Sequence, residues 1–445
     1  MADVAYSPAA QQSSIPCKSS STGSGRPTSA WGILILLSVG VLIAYIDRTS
    51  IASVLADRPF ISYFALTDVQ RGWVNAAFFW SYAVVQVPMG WIVDRYGVKL
   101  PYTLCFGIWC LATAVTGAVA TLYALLLLRL IVGVAESAVI PASYRWIRDN
   151  FDERRAGSAV GIFAAGNKLG PALGAPVAAW LIVHYDWRMM FFATGLLGLA
   201  WLVPWIGLVR NDLPSAAERQ ERHRRASAVS LRAIIASPVV WGTMISSFCY
   251  GYFTFYCMSW MPSYLVEERG LSLQASGLYT FFSFAGIAVV AVLAGWMADR
   301  IIARGGDAVF VRKAFVVAGF IGGCTVIFGA YATSLHVALF WNVFSLSWLG
   351  LATANNLALC RLTLIPRQAV GLTTGVQQVA LSLSGGVSAS VSGWLLHISG
   401  GYDMPILVIV LFCLIGAGAT VVLMRREWAP QISGTTDKEA SAQEC

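Results

Sequence analysis

The chain has 445 residues, 57% of them hydrophobic and only 12% charged, with a net charge of +8. A soluble domain carries about 25% charged residues, so a soluble fold is excluded and an integral membrane protein is expected. The basic excess reads as a topological signal, not as a nucleic-acid surface.

Residues 1–30 are rich in Ser, Ala, Pro and Thr and lack the apolar core of a signal peptide, so they read as a disordered, uncleaved tail. Apolar runs of bilayer-spanning length follow near 31–55, 72–93, 101–120, 122–144, 157–183 and 187–209, then near 238–264, 276–298, 313–332, 334–359, 370–396 and 403–424. This predicts an all-α membrane protein of twelve transmembrane helices: a six-helix bundle at 31–209, a linker at 210–237, a second bundle at 238–425 and a tail at 426–445. The linker has fewer than 30 residues, whereas an enzymatic domain needs about 50 or more. Nine cysteines are present, seven of them inside or at the edge of expected spans, where they act as small apolar residues. No phosphate-binding loop occurs, and His184, His223, His336 and His397 are scattered, so neither ATP-driven chemistry nor a metal site is expected.

Lys and Arg fall mostly on the segments that share a side with the termini, leaving Arg58, Arg71, Arg188 and Arg269 on the other. The positive-inside rule then puts both termini in the cytoplasm, in the cell (inner) membrane. The phrase Gly90-Trp91-Ile92-Val93-Asp94-Arg95 returns 205 positions later as Gly295-Trp296-Met297-Ala298-Asp299-Arg300. Two halves in parallel order are the pattern of a transporter whose site lies between them.

These paired Gly-x-x-x-Asp-Arg loops resemble the signature of the major facilitator superfamily, and the likeness covers residues 31–425. Within it, Ala44-Tyr45-Ile46-Asp47-Arg48 is similar to the anion:cation symporter family of sugar-acid and phthalate permeases. Two further stretches agree: Arg129 to Glu136 followed by Pro141, and Ser259-Trp260-Met261-Pro262-Ser263-Tyr264.

Asp47, Arg48, Arg129, Glu136 and Lys168 lie deep in expected spans, where each isolated charge costs about 2.5–3.5 kcal/mol. Arg129 and Glu136 are seven apart on one helix face, about 10 Å along the axis, so each is expected to pair with a neighbouring helix. The economical pairs are Asp47 with Arg129 and Arg48 with Glu136. A fixed ion-pair lattice is one reading of them; a carboxylate that exchanges an arginine for a proton is the other. The resemblance implies the second, with Arg48 binding the substrate carboxylate and Asp47, Glu136 and Arg129 forming the proton-coupling set. The proton is then the coupling ion, and no cofactor is expected. Lys168, preceded by Asn167, departs from the family pattern, and it either pairs with Glu136 or Asp47 and adjusts coupling or contacts a second acidic group on the substrate.

Gly157, Gly166, Gly170, Pro171 and Gly174 resemble the signature of drug:proton antiporters in the same superfamily, although small residues at this spacing also simply pack helices closely. In the second half, Tyr250, Tyr252, Tyr256 and Trp260 crowd the seventh span, and Asn355, Asn356, Gln377 and Gln378 fill the tenth and eleventh. With Arg48, the residues Tyr45, Tyr82, Asn167, Lys168, Tyr256 and Gln378 are expected as substrate contacts. Asp94, Arg95, Asp299 and Arg300 are read as a latch closing the cytoplasmic face.

The sequence therefore predicts proton-coupled import of an organic carboxylate, a sugar acid first, by a monomer embedded in lipid. Proton-coupled export of drugs and permeation of aromatic acids are the alternatives.

Overall fold

The computed structural model describes residues 30–210, 213, 235–359, 364–365 and 370–428. The expected N-terminal tail before Ala30, nearly all of the linker, Cys360 and the C-terminal tail beyond Trp428 lie outside them.

In the first half, α1 (Ala30–Val54), the short α2 (Arg58–Phe64), α3 (Asp68–Tyr96), α4 (Lys99–Thr116), α5 (Leu122–Glu136), α6 (Val139–Asn150), α7 (Glu153–Tyr185) and α8 (Trp187–Leu208) follow in order. In the second come α9 (Pro238–Ser259), α10 (Met261–Glu267), α11 (Leu273–Ala303), α12 (Ala308–Gly323), α13 (Val326–Ala330), α14 (Leu335–Ala358), α15 (Val370–Ser399) and α16 (Asp403–Leu423). All twelve expected spans are occupied by helix, and three of them are broken: α5/α6, α9/α10 and α12/α13. Nine of the described helical segments are, by length and composition, apolar enough to cross a membrane. Their outer faces carry the expected belt of exposed large apolar side chains, among them Val84, Leu197, Val292 and Phe340.

Local chemistry fixes the helix starts. Thr67 and Gln70 form a capping box that opens α3, and Thr121, Ser272 and Asp307 cap α5, α11 and α12 through their side chains. The duplication persists in detail. Lys99 donates to the Ile206 carbonyl at 2.9 Å, and Lys313, in the corresponding place of the second half, donates to the Val421 carbonyl at 3.1 Å.

The glycines of α7 pack it onto α1. A Cβ at Gly166, Gly170 or Gly174 would overlap the Ser38 carbonyl, the Tyr45 side chain or the Thr49 hydroxyl respectively. Close helix approach thus accounts for these positions, and it presses Tyr45 and its neighbours Asp47 and Arg48 toward the bundle interior.

The halves meet through α3 against α15 and α7 against α11. At one end the fit is tight: a Cβ on Gly72 would lie 2.8 Å from the Ala389 carbonyl, and one on Gly277 would lie 3.0 Å from the Ala175 carbonyl. Toward the other end of the same helices, Gly90, Gly157, Gly161 and Gly375 have open space where a Cβ would be. Among the described residues the halves are in close contact at the Arg71 end, while these four glycines toward the Asp94 end meet no neighbour.

Candidate functional site

Arg48 and Glu136 meet inside the first half. Arg48 Nε donates to Glu136 Oε2 at 2.6 Å, with side-chain exposures of 5% and 0%. The residue after Glu136, Ser137, ends α5, bonding its own amide back to the Gly133 carbonyl and its hydroxyl to Val134. The rings of Tyr45, Phe78 and Tyr82 surround the guanidinium, with centroids 4.5, 4.9 and 4.8 Å from its carbon. Such rings favour a cation while adding no negative charge. Among the described residues, the two terminal nitrogens of Arg48 hydrogen-bond no carboxylate, and Glu136 Oε1 is buried without a partner.

Asp47 does not form the expected ion pair with Arg129. Its Oδ2 instead accepts from Trp109 Nε1 at 3.2 Å and from the Thr113 hydroxyl at 3.3 Å, while Oδ1 is buried without a hydrogen bond. The donors come from α4 and carry no charge, so charge matching along the sequence could not single them out. Arg129 is 1% exposed, and its Nε and Nη2 are also unpartnered. An apolar cavity of about 330 Å³ lined by Ile43, Ile46, Trp109, Cys110 and Leu197 reaches Asp47 from the α8 side. Its walls offer too few polar groups to hold a hydroxylated acid, so it is set apart from the Arg48 site.

Lys168 reaches across the halves. Its ammonium lies 3.3 Å from Tyr250 Oη on α9, and Tyr250 Oη is in turn 2.9 Å from Thr353 Oγ1 on α14. Among the tyrosines of α9, Tyr250 is the one that meets Lys168. The Tyr256 hydroxyl is buried and unpartnered inside the second half, on the side of α9 toward Tyr252, Tyr264 and Tyr402. Asn167 and Gln378 are half-buried, and neither side chain forms a hydrogen bond among the described residues. Asn356 and Gln377, in contrast, both donate to Ser247 and brace α14, α15 and α9 against one another.

The paired loop motifs bond within their own halves. Asp299 accepts from Arg312 at 2.7 Å, and Asp94 lies 4.0 Å from Arg145, which also donates to the Val93 carbonyl. The expected partners Arg95 and Arg300 instead lie over Trp91 and Trp296 at 5.3 and 5.1 Å. The Asp299–Arg312 and Asp94–Arg145 contacts thus brace each bundle from within.

A latch between halves stands at the opposite end, and its centre is Arg71. Arg71 Nη2 donates to Glu267 Oε1 at 2.6 Å, and to Ser263 Oγ and the Leu55 carbonyl at 2.8 Å each. Its guanidinium lies 5.2 Å from the Trp260 ring, and Tyr402 Oη donates to Glu267 Oε2 at 2.6 Å. The Trp260 to Tyr264 motif therefore builds this closure, a role that its sequence did not disclose.

The Major Facilitator Superfamily profile matches residues 37–362, most of the chain. The chain belongs to that superfamily. It is 27% identical over 424 residues to a D-galactonate transporter of Escherichia coli, covering 88% of this chain and 94% of the relative. It is 30% identical over 408 residues to a probable sulfoacetate transporter of Cupriavidus necator, covering 88% and 92%. A bacterial homologue of the human lysosomal transporter Spinster, solved in an inward-facing and unoccupied conformation, superposes with a TM-score of 0.73 at 18% identity over 92% of this chain and 100% of that one. This major facilitator protein is a multi-pass membrane transporter and not an enzyme.

Proposed function

We propose that this transporter imports an organic anion, a sugar acid by preference, together with protons. The observation that carries the reading is the buried Arg48–Glu136 pair, whose arginine sits in an aromatic cage and whose carboxylate keeps one oxygen unpartnered. A substrate carboxylate binds the free edge of the Arg48 guanidinium bidentately. Engaged there, the guanidinium is shared between two anions, and a buried carboxylate whose cation is shared takes a proton more readily. Anion and proton then load together. Relatives named for galactonate, galactarate/glucarate and sulfoacetate support the anion. The hydroxyls of Tyr45 and Tyr250 and the unpaired amides of Asn167 and Gln378 suit a hydroxylated chain.

With the termini in the cytoplasm, the Asp94 end faces inward and the Arg71 latch faces out. Alternating access then requires the latch to open and the Asp94 end to close around the loaded site. Arg48, Lys168 and Tyr250 come from one chain, which supports a monomer as the working unit.

The reading is tested with vesicles containing a pH-sensitive dye and no imposed gradient. Adding the transported acid outside should acidify the lumen, and Arg48→Ala should abolish the signal. Uptake of the labelled acid without lumenal acidification would remove proton coupling.

A further inference from the structure

Lys168 lies deep in its span with no carboxylate partner among the described residues. Arg48 has Glu136, Arg71 has Glu267 and Asp68, Arg145 has Asp149, and Arg312 has Asp299. Lys168 is in ion-pair contact with no carboxylate among the described residues, and its partner is the neutral Tyr250 hydroxyl. Arg129 also lacks an ion pair within 4.0 Å, but it is 1% exposed and closed to any ligand. Lys168, Tyr250 and Thr353 each keep partial exposure, so this cluster is reachable. It is also built from both halves, with Lys168 on α7 and its hydroxyl partners on α9 and α14.

We infer that Lys168, Tyr250 and Thr353 form a second anion-binding point, and that the substrate is a dianion whose two acidic groups bind Arg48 and Lys168. This inference rests on the anion reading above and narrows it. With Asp47 and Glu136 ionised, the five charged groups Asp47, Arg48, Arg129, Glu136 and Lys168 sum to one positive charge. Once Glu136 takes its proton, the sum is two. A dianion brings the loaded site to neutrality, whereas a monoanion leaves a charge stranded in the membrane interior, where ions are expensive. The second acidic group also gives the two halves a shared ligand: Lys168 approaches it from one side, and Tyr250 and Thr353 donate to it from the other. Binding at this point is therefore coupled to closure of the halves around substrate.

The test compares acids that differ only in the second charge: a hexonate against the hexarate of the same carbon chain, and acetate against sulfoacetate. Proteoliposome uptake is measured for the wild type, Lys168→Met, Lys168→Arg and Tyr250→Phe, and binding to detergent-purified protein is read from thermal stabilisation. The wild type should prefer the dianion of each pair. Lys168→Met should lower the dianion-to-monoanion ratio of kcat/KM by about tenfold or more, mostly through KM, and Lys168→Arg should restore most of it. Tyr250→Phe should weaken dianion binding by severalfold. Thermal stabilisation by the dianion should disappear in Lys168→Met. A wild type that prefers monoanions, or an unchanged ratio in Lys168→Met, overturns the second point. If monoanion uptake dependent on Arg48 persists in that case, the anion reading stands alone; if the wild type moves no acid at all, both fall.

Discussion

Arg71 and Glu267 stand 196 positions apart, one in each half, and meet at 2.6 Å at the closed end of the bundle. Arg71 is 3% exposed, while the Glu267 side chain keeps 28%, so the pair is buried on one side only. Removing the acid leaves the guanidinium with Asp68 of its own helix, Ser263 and the Leu55 carbonyl, and deletes its ion pair across the halves. Glu267→Gln is expected to weaken the closure by about 1–3 kcal/mol. Hydrogen exchange across residues 55–71 and 260–268 should speed up in that variant and not in Arg95→Ala. Equal exchange in both would remove Arg71 from the closure.

The glycines of α7 give a steric prediction. Gly170→Ala sets a methyl against Tyr45 and should destabilise the protein by about 1–3 kcal/mol, with lowered activity. Gly161→Ala meets open space and should be neutral or slightly stabilising, by up to about 1 kcal/mol. Thermal unfolding of the purified variants checks the contrast. A lipophilic-cation efflux assay should register neither change, since the spacing serves packing.

The chain order and helix positions were legible because bilayer length and charge bias are local properties of sequence. The breaks after Glu136 and Ser259 were not, because each span remains apolar through them. Arg48 and Glu136 were legible as partners because opposite charges in hydrocarbon must meet. The hydrogen-bond partners of Asp47 were not legible, since Trp109 and Thr113 are uncharged and look like packing residues. The Lys168–Tyr250 contact was not legible, because the rotation of α9 relative to Lys168 depends on how the halves dock, which no spacing within either half encodes. Arg71 lay at the start of a span and read only as an orientation marker, its partner Glu267 being hidden by the same docking.

The loop motifs separate by partner. Asp299→Asn leaves Arg312 with Asn355 alone, and with Asp94→Asn it should reduce kcat by about fivefold or more while KM changes less than about twofold. Arg95→Ala and Arg300→Ala, whose guanidinia lie on tryptophans, should keep at least about half of wild-type turnover. Initial uptake rates across substrate concentrations give both constants.

Glu136→Gln keeps an acceptor for Arg48 but cannot exchange a proton. Substrate exchange between identical solutions should continue, while accumulation driven by an inward proton gradient should fall by about tenfold or more. Counterflow and gradient-driven uptake in the same vesicles distinguish the two. Loss of both to the same extent would make Glu136 a structural support for Arg48 and not a coupling group.

The most direct measurement is accumulation of radiolabelled hexonates, hexarates and sulfoacetate in proteoliposomes, with and without an inward proton gradient, for the wild type and Arg48→Ala. The predicted result is concentrative uptake of at least one acid that collapses with the gradient and is absent in Arg48→Ala. No uptake of any acid, with proton-driven loss of a lipophilic cation instead, would contradict the account and make the protein an exporter.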